Sequence, residues 1–149
     1  MPSGALPKVA GVAAMPHGLR FSGKSAVLND VFKLARGEIV VLADTRQRFE
    51  TGALRALAAC FADPKVGAVS GELVLLNGTT HSEVGKGVDF YWRYEKFMRF
   101  HEGRVDSTVG ATGAIYAIRR ELFQPIPDST ILDDVLIPMQ VVRQGYRVL

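Results

Sequence analysis

Residues Glu38 to Asp44 read EIVVLAD, and no other stretch of this 149-residue chain restricts its fold so strongly. Five consecutive apolar residues, the first three β-branched, are closed by an aspartate. A strand with one wet face alternates apolar and polar residues. An unbroken apolar run is the pattern of a central parallel strand, buried on both faces and covered by helices. The flanking sequence supplies those helices. Upstream, Val27, Leu28, Val31, Phe32 and Ala35 follow helical spacing, which predicts a helix over Ala26 to Ala35, capped by Ser25 and stopped at Gly37. Downstream, Leu54, Leu57, Ala58 and Phe61 form a second helical stripe that the Asp63-Pro64 turn closes. A helix-strand-helix order of this kind predicts a layered α/β fold.

The remaining sequence continues the alternation. VGAVSGELVLLNG reads as a strand or strand pair, and Gly85 to His101 as an aromatic-rich helix with Phe90, Tyr94, Phe97 and His101 along one side. AIYAI alternates like a strand, DDVLIPMQVVRQG has helical spacing, and YRVL starts a further strand. Residues 1–22 are rich in Gly, Ala and Pro, so a loosely ordered leader is expected there, with one extended candidate at Lys8 to Met15. Residues 23–149 then form one α/β domain, because a chain of this length and 48% apolar content can bury one core and is too short for two. Cys60, alone in its apolar stretch ALAACFA, excludes a disulfide framework and reads as a buried, inert thiol. The net charge of +3 is scattered without a basic block, and no nucleic-acid partner is expected. No run is long enough to span a bilayer and no signal-peptide core is present, so a soluble, cytoplasmic domain is expected. His17, His81 and His101 lack metal-ligand spacing.

One short motif competes for the function. GLRFSGKS, residues 18–25, matches the phosphate-cradling pattern G-x-x-x-x-G-K-[ST] in full, which would make Lys24, Ser25 and Asp44 the site of a nucleotide hydrolase or kinase. Two features weigh against it. Only twenty residues separate Lys24 from Asp44, and Leu19-Arg20-Phe21 is bulky where backbone must curl around phosphate. A plain surface loop with a solvated Lys24 explains the stretch equally well.

Read at greater length, GKSAVLNDVFKLARGEIVVLAD resembles the nucleotide-sugar-binding core of family 2 glycosyltransferases. The resemblance continues in order through VGAVSGELVLLN, TVGATGAIYAIRRELF and ILDDVLIPMQVVRQGYRVL, so it covers Gly23 to Leu149. It implies an incomplete GT-A fold, like that of nucleotide-diphospho-sugar transferases, with a mainly parallel central sheet. The implied activity is transfer of a sugar from a nucleotide-sugar donor to an acceptor hydroxyl with inversion. The first strands of that fold, with their nucleobase-binding aspartate, are not seen, so the chain reads as truncated. Weak or absent transfer, a homo-oligomer formed through an open sheet edge, and a parent protein at the cytoplasmic face of a membrane are expected on the same basis.

Transfer from a nucleoside diphosphate sugar needs the departing diphosphate stabilised and a base for the acceptor hydroxyl. The resemblance assigns the first task to Asp44, at the C-terminal end of its strand, as ligand of a divalent metal, Mg or Mn, or as diphosphate partner. Lys24 and Asn29 lie in the implied donor helix. Arg46 stands where the family has a second acidic residue or an asparagine. Either Asp44 holds metal with water and phosphate oxygens, or Arg46 itself neutralises the diphosphate; the family pattern points to the metal. Asp134 takes the position of the general base and Asp133 that of its acidic neighbour. From the local sequence alone an aspartate before an apolar periodic run is an N-cap, which leaves capping to Asp133 or Thr130. Gly110, Thr112 and Gly113 let backbone approach a sugar or phosphate, although a simple turn into AIYAI would need the same residues. An RNA-binding reading of G-x-x-G fails, because the loop lacks basic residues and a strand follows it. A non-catalytic assembly module on the same fold is the third alternative.

Overall fold

The computed structural model of the chain describes residues 23–74, 94, 97–98 and 101–149. The expected leader with its extended candidate, and most of the helix expected over 85–101, fall outside the described residues, as do His17, His81, Phe90 and Trp92. The elements in chain order are α1 (Lys24–Leu34), β1 (Ile39–Ala43), α2 (Ala53–Cys60), β2 (Val66–Ser70), β3 (Ile115–Arg119), a 3-10 turn (Arg120–Leu122), α3 (Asp133–Arg143) and β4 (Arg147–Val148). Residues 101–105 are also helical. No helix among the described residues is long and apolar enough to cross a membrane.

The start of α1 differs from the expected cap. Gly23 holds φ at 96°, where a side chain would be strained, and makes the turn into the helix. Ser25 lies inside the first turn, 1% exposed, and its hydroxyl donates to the Thr130 carbonyl at 2.7 Å. It ties α1 to the chain before α3 and caps nothing.

The strands form one sheet in the order β1-β3-β2-β4. β3 runs antiparallel to both β1 and β2, whereas β4 is parallel to β2. Three of the four described strands therefore share a direction, and the AIYAI strand is the reversed one, inserted between β1 and β2. That insertion leaves β1 at one outer side of the described sheet, with β4 at the other. Only Ile39 of EIVVLAD is fully buried, and Val40 to Leu42 are half-buried. The expectation of a central strand buried on both faces is met instead by β3. Its Tyr116 and Ile118 pack with Leu28, Phe32, Ile137 and Val141 of α1 and α3, while Ile115 and Ala117 pack with Leu57 of α2 and with Phe61. The result is three layers, α1 and α3 on one face and α2 on the other. Leu54, the first residue of the second stripe, is exposed. Cys60 is half-exposed rather than buried, because α2 turns its thiol toward the Ala56 carbonyl at 3.5 Å. Of the aromatic stripe, Tyr94, Phe97 and His101 are exposed, with the Phe97 and His101 rings 4.2 Å apart.

This topology creates one functional edge. β1, β2 and β4 end there, and α1 and α3, each leading back into a strand of that direction, start there. Ligands of open α/β sheets bind at that edge.

Candidate active site

Asp44 continues the β1–β3 ladder past the strand end, its backbone N–H donating to the Ala114 carbonyl at 3.0 Å. Its carboxylate is gripped by Arg46. The Arg46 backbone N–H donates to Oδ1 at 3.0 Å, Nε reaches Oδ1 at 3.1 Å and Oδ2 at 3.2 Å, and Nη2 reaches Oδ2 at 2.7 Å. The guanidinium, then the Arg46 backbone N–H, hold the Asp44 carboxyl down at about 2, with smaller contributions from the Arg46 and Lys24 charges. The same hydrogen bonds raise Arg46 above its ordinary value.

The acidic pair splits into two environments. Asp133 is 2% exposed, and its Oδ1 lies 2.8 Å from Nζ of Lys24, at the start of α1. Its Oδ2 and the hydroxyl of Tyr116 are buried without a hydrogen-bond partner among the described residues. Burial, and after it the charges of Asp133 and Asp134, push the Tyr116 phenol well above its usual value. Neither Asp133 nor Thr130 caps α3: Leu132 occupies the N-cap position and no side chain caps it. The Asp133 carboxylate is paired with the Lys24 ammonium instead.

Asp134, half-exposed, faces the loop 110–113. A Cβ on Gly113 would lie 3.1 Å from Asp134 Oδ2, and one on Gly110 3.3 Å from Val135 Cγ2 and 3.4 Å from the Asp134 carbonyl. A side chain at either glycine would be tightly placed and its neighbours would have to give by a few tenths of an ångström. The loop is pinned from two sides, because the Thr112 N–H donates to Ser70 Oγ at 2.9 Å at the end of β2, and the Ala111 N–H donates to the Asp134 carbonyl at 2.8 Å. Pro138 explains why that carbonyl is available. It sits inside α3, four residues after Asp134, and lacks the N–H that would otherwise close the helical bond. The break in the helix ladder becomes the anchor of the loop.

Lys24, Asp44, Arg46, Asp133, Asp134, Gly110, Thr112 and Gly113 thus gather on one edge. Asn29 is engaged elsewhere. Its Nδ2 donates to the Ile126 carbonyl at 2.8 Å and its Oδ1 accepts the Ile126 N–H at 2.9 Å, so its amide clamps α1 to the chain before α3 instead of awaiting a nucleotide. The phosphate-loop reading also fails. Ser25 has its buried hydroxyl on Thr130 and cannot serve a metal, and Lys24 is held on Asp133. Arg46 would compete with the divalent metal expected at Asp44. Both of its oxygens are bonded to a guanidinium, and no group of three His, Cys, Asp or Glu among the described residues could hold an ion. Tyr116, Ser70 and Pro138 were not singled out from sequence. Pro138 alone carried a signal, a proline inside a helical pattern.

Comparison with known proteins agrees with the α/β architecture. A family model described as glycosyltransferase-like family 2 matches residues 4–149. Among solved structures, the chain is similar to the mannosyltransferase PcManGT from Pyrobaculum calidifontis, in complex with GDP-Man and Mn2+. The two are 28% identical with a TM-score of 0.67, over 85% of this chain and 33% of that one. The chain therefore spans about a third of that neighbour's length. No curated protein matches it.

Proposed function

We propose, for a chain that belongs to the glycosyltransferase-like family 2, that its functional edge binds a nucleotide-sugar donor and moves the sugar to an acceptor hydroxyl with inversion. In this reading Asp134 accepts the proton of the acceptor hydroxyl. The hydroxyl oxygen forms a bond to the anomeric carbon from the face opposite the diphosphate, and the carbon–oxygen bond to the diphosphate breaks, releasing a nucleoside diphosphate. Asp133 holds Lys24 in position, and the two glycines of the 110–113 loop bring its backbone close to Asp134. No step passes through a metal. The GDP-Man of the structural neighbour supports a sugar nucleotide as donor. The domain works in the cytoplasm, alone or at a membrane face, and self-associates through β1.

The observation that carries the reading is the approach of Gly113 to Asp134, 3.1 Å from a would-be Cβ to the carboxylate, at the strand edge that also presents Asp44 and Lys24. The experiment is transfer or slow hydrolysis of UDP- and GDP-sugars by the wild type and by Asp134→Asn. Loss of turnover with donor binding retained supports it. Binding of ATP in preference to both sugar nucleotides contradicts it.

A further inference from the structure

Resting on that reading, we infer that the donor diphosphate is neutralised by Arg46 together with Lys24, and that a divalent metal has no place at Asp44. A leaving diphosphate needs positive charge beside it, and this chain supplies that charge in covalent form. Arg46 already sits where a cation bound to Asp44 would sit, on both carboxylate oxygens at 2.7–3.2 Å. A guanidinium has five N–H donors in a planar fork. The contacts with Asp44 occupy the Nε side and one N–H of Nη2, which leaves three N–H groups for an anion. The Arg46 side chain is 84% exposed, so these donors are open to a ligand. Lys24 adds a second cation on the same edge. Its ammonium is fixed by the buried Asp133 at 2.8 Å while its side chain remains 64% exposed. Arg fits phosphate bidentately where an ammonium acts as a point charge, so the two cations have separate tasks, Arg46 as the fork and Lys24 as the nearby charge.

A metal at Asp44 would gain little. It would have to break the Asp44–Arg46 fork, and it would then sit beside a fixed positive charge with one carboxylate as its protein ligand among the described residues. Divalent ions of this kind take one or two carboxylates together with waters and substrate phosphate oxygens, so the Arg46 fork is what competes with them for Asp44.

The experiment combines manganese binding, read from the free-Mn2+ EPR signal, with calorimetric titration of GDP and UDP in EDTA and in Mn2+. Wild type is expected to leave the EPR signal unchanged and to bind nucleoside diphosphate with affinities in the two buffers that agree within about twofold. Arg46→Ala should weaken binding in EDTA by about tenfold to a hundredfold, the loss of a charge-assisted fork. Arg46→Asp restores an acid pair and should deplete the Mn2+ signal and make nucleotide binding manganese-dependent. Manganese uptake by the wild type, affinity that rises about tenfold with Mn2+, or an Arg46→Asp protein indifferent to Mn2+ would overturn the inference and leave the transferase reading standing. Absence of GDP and UDP binding in both buffers would overturn the two together.

Discussion

Asp133 and Asp134 stand side by side at the start of α3, yet one is buried and ion-paired and the other half-exposed beside Gly113. Capping chemistry predicts neither environment, because it considers only the residues that follow. The partner that decides for Asp133 is Lys24, 109 positions earlier in the chain. The resemblance assigned the base to Asp134 and the acidic neighbour to Asp133, but the difference in their surroundings became visible only with Lys24 and Tyr116 in space. Tyr116 gives a test at this scale. Its buried hydroxyl has no hydrogen-bond partner among the described residues, so Tyr116→Phe removes a desolvated polar group and should unfold at the same or a higher urea concentration near neutral pH. The pH dependence has a definite sign. Folding raises the phenol's pKa, so the folded state keeps a proton that the unfolded state loses above about pH 10. The stability tied to Tyr116 is complete below that pH and is lost as pH rises further. Urea midpoints at about pH 8 and pH 11 should therefore fall less for Tyr116→Phe than for the wild type; an equal fall contradicts the account.

At the scale of elements, apolar periodicity located α1, α2, α3 and every described strand to within a few residues, since the burial of Leu28, Phe32, Leu57, Ile137 and Val141 follows from spacing alone. Direction was less legible. A period-2 pattern reads the same forwards and backwards, so nothing in AIYAI announced that β3 runs against its neighbours or moves β1 outward. Close packing is similarly hidden. Gly67 lets α3 lie on β2, and a Cβ there would fall 2.5 Å from Val141 Cγ1. Pro138 yields the prediction that belongs to this level. Pro138→Ala supplies an N–H that competes with Ala111 for the Asp134 carbonyl. The helix should gain up to about 3 kcal/mol of propensity, while the Ala111 amide exchanges its hydrogen faster as the loop loosens. Hydrogen exchange resolved to that amide checks it, and unchanged protection there means that Pro138 does not anchor the loop.

For the whole molecule, the described sheet leaves β1 at an outer side and brings three strand ends to one edge. β1 pairs with β3 alone among the described strands, so its outer backbone groups can pair with a second copy. Light scattering is expected to give twice the 16.2 kDa chain mass, and a monomer across the micromolar range contradicts this. The opposite property of the sheet, strands that end together, collects residues from positions 24, 44, 46, 110–113 and 133–134 on one edge. The central claim is that Asp134 is the base at this edge. Its most direct measurement is the single-turnover rate of sugar transfer or hydrolysis from a bound UDP- or GDP-sugar, for wild type and Asp134→Asn. The rate should fall by about a hundredfold to ten-thousandfold in the variant, with donor affinity unchanged. An Asp134→Asn protein that turns over at the wild-type rate would contradict it.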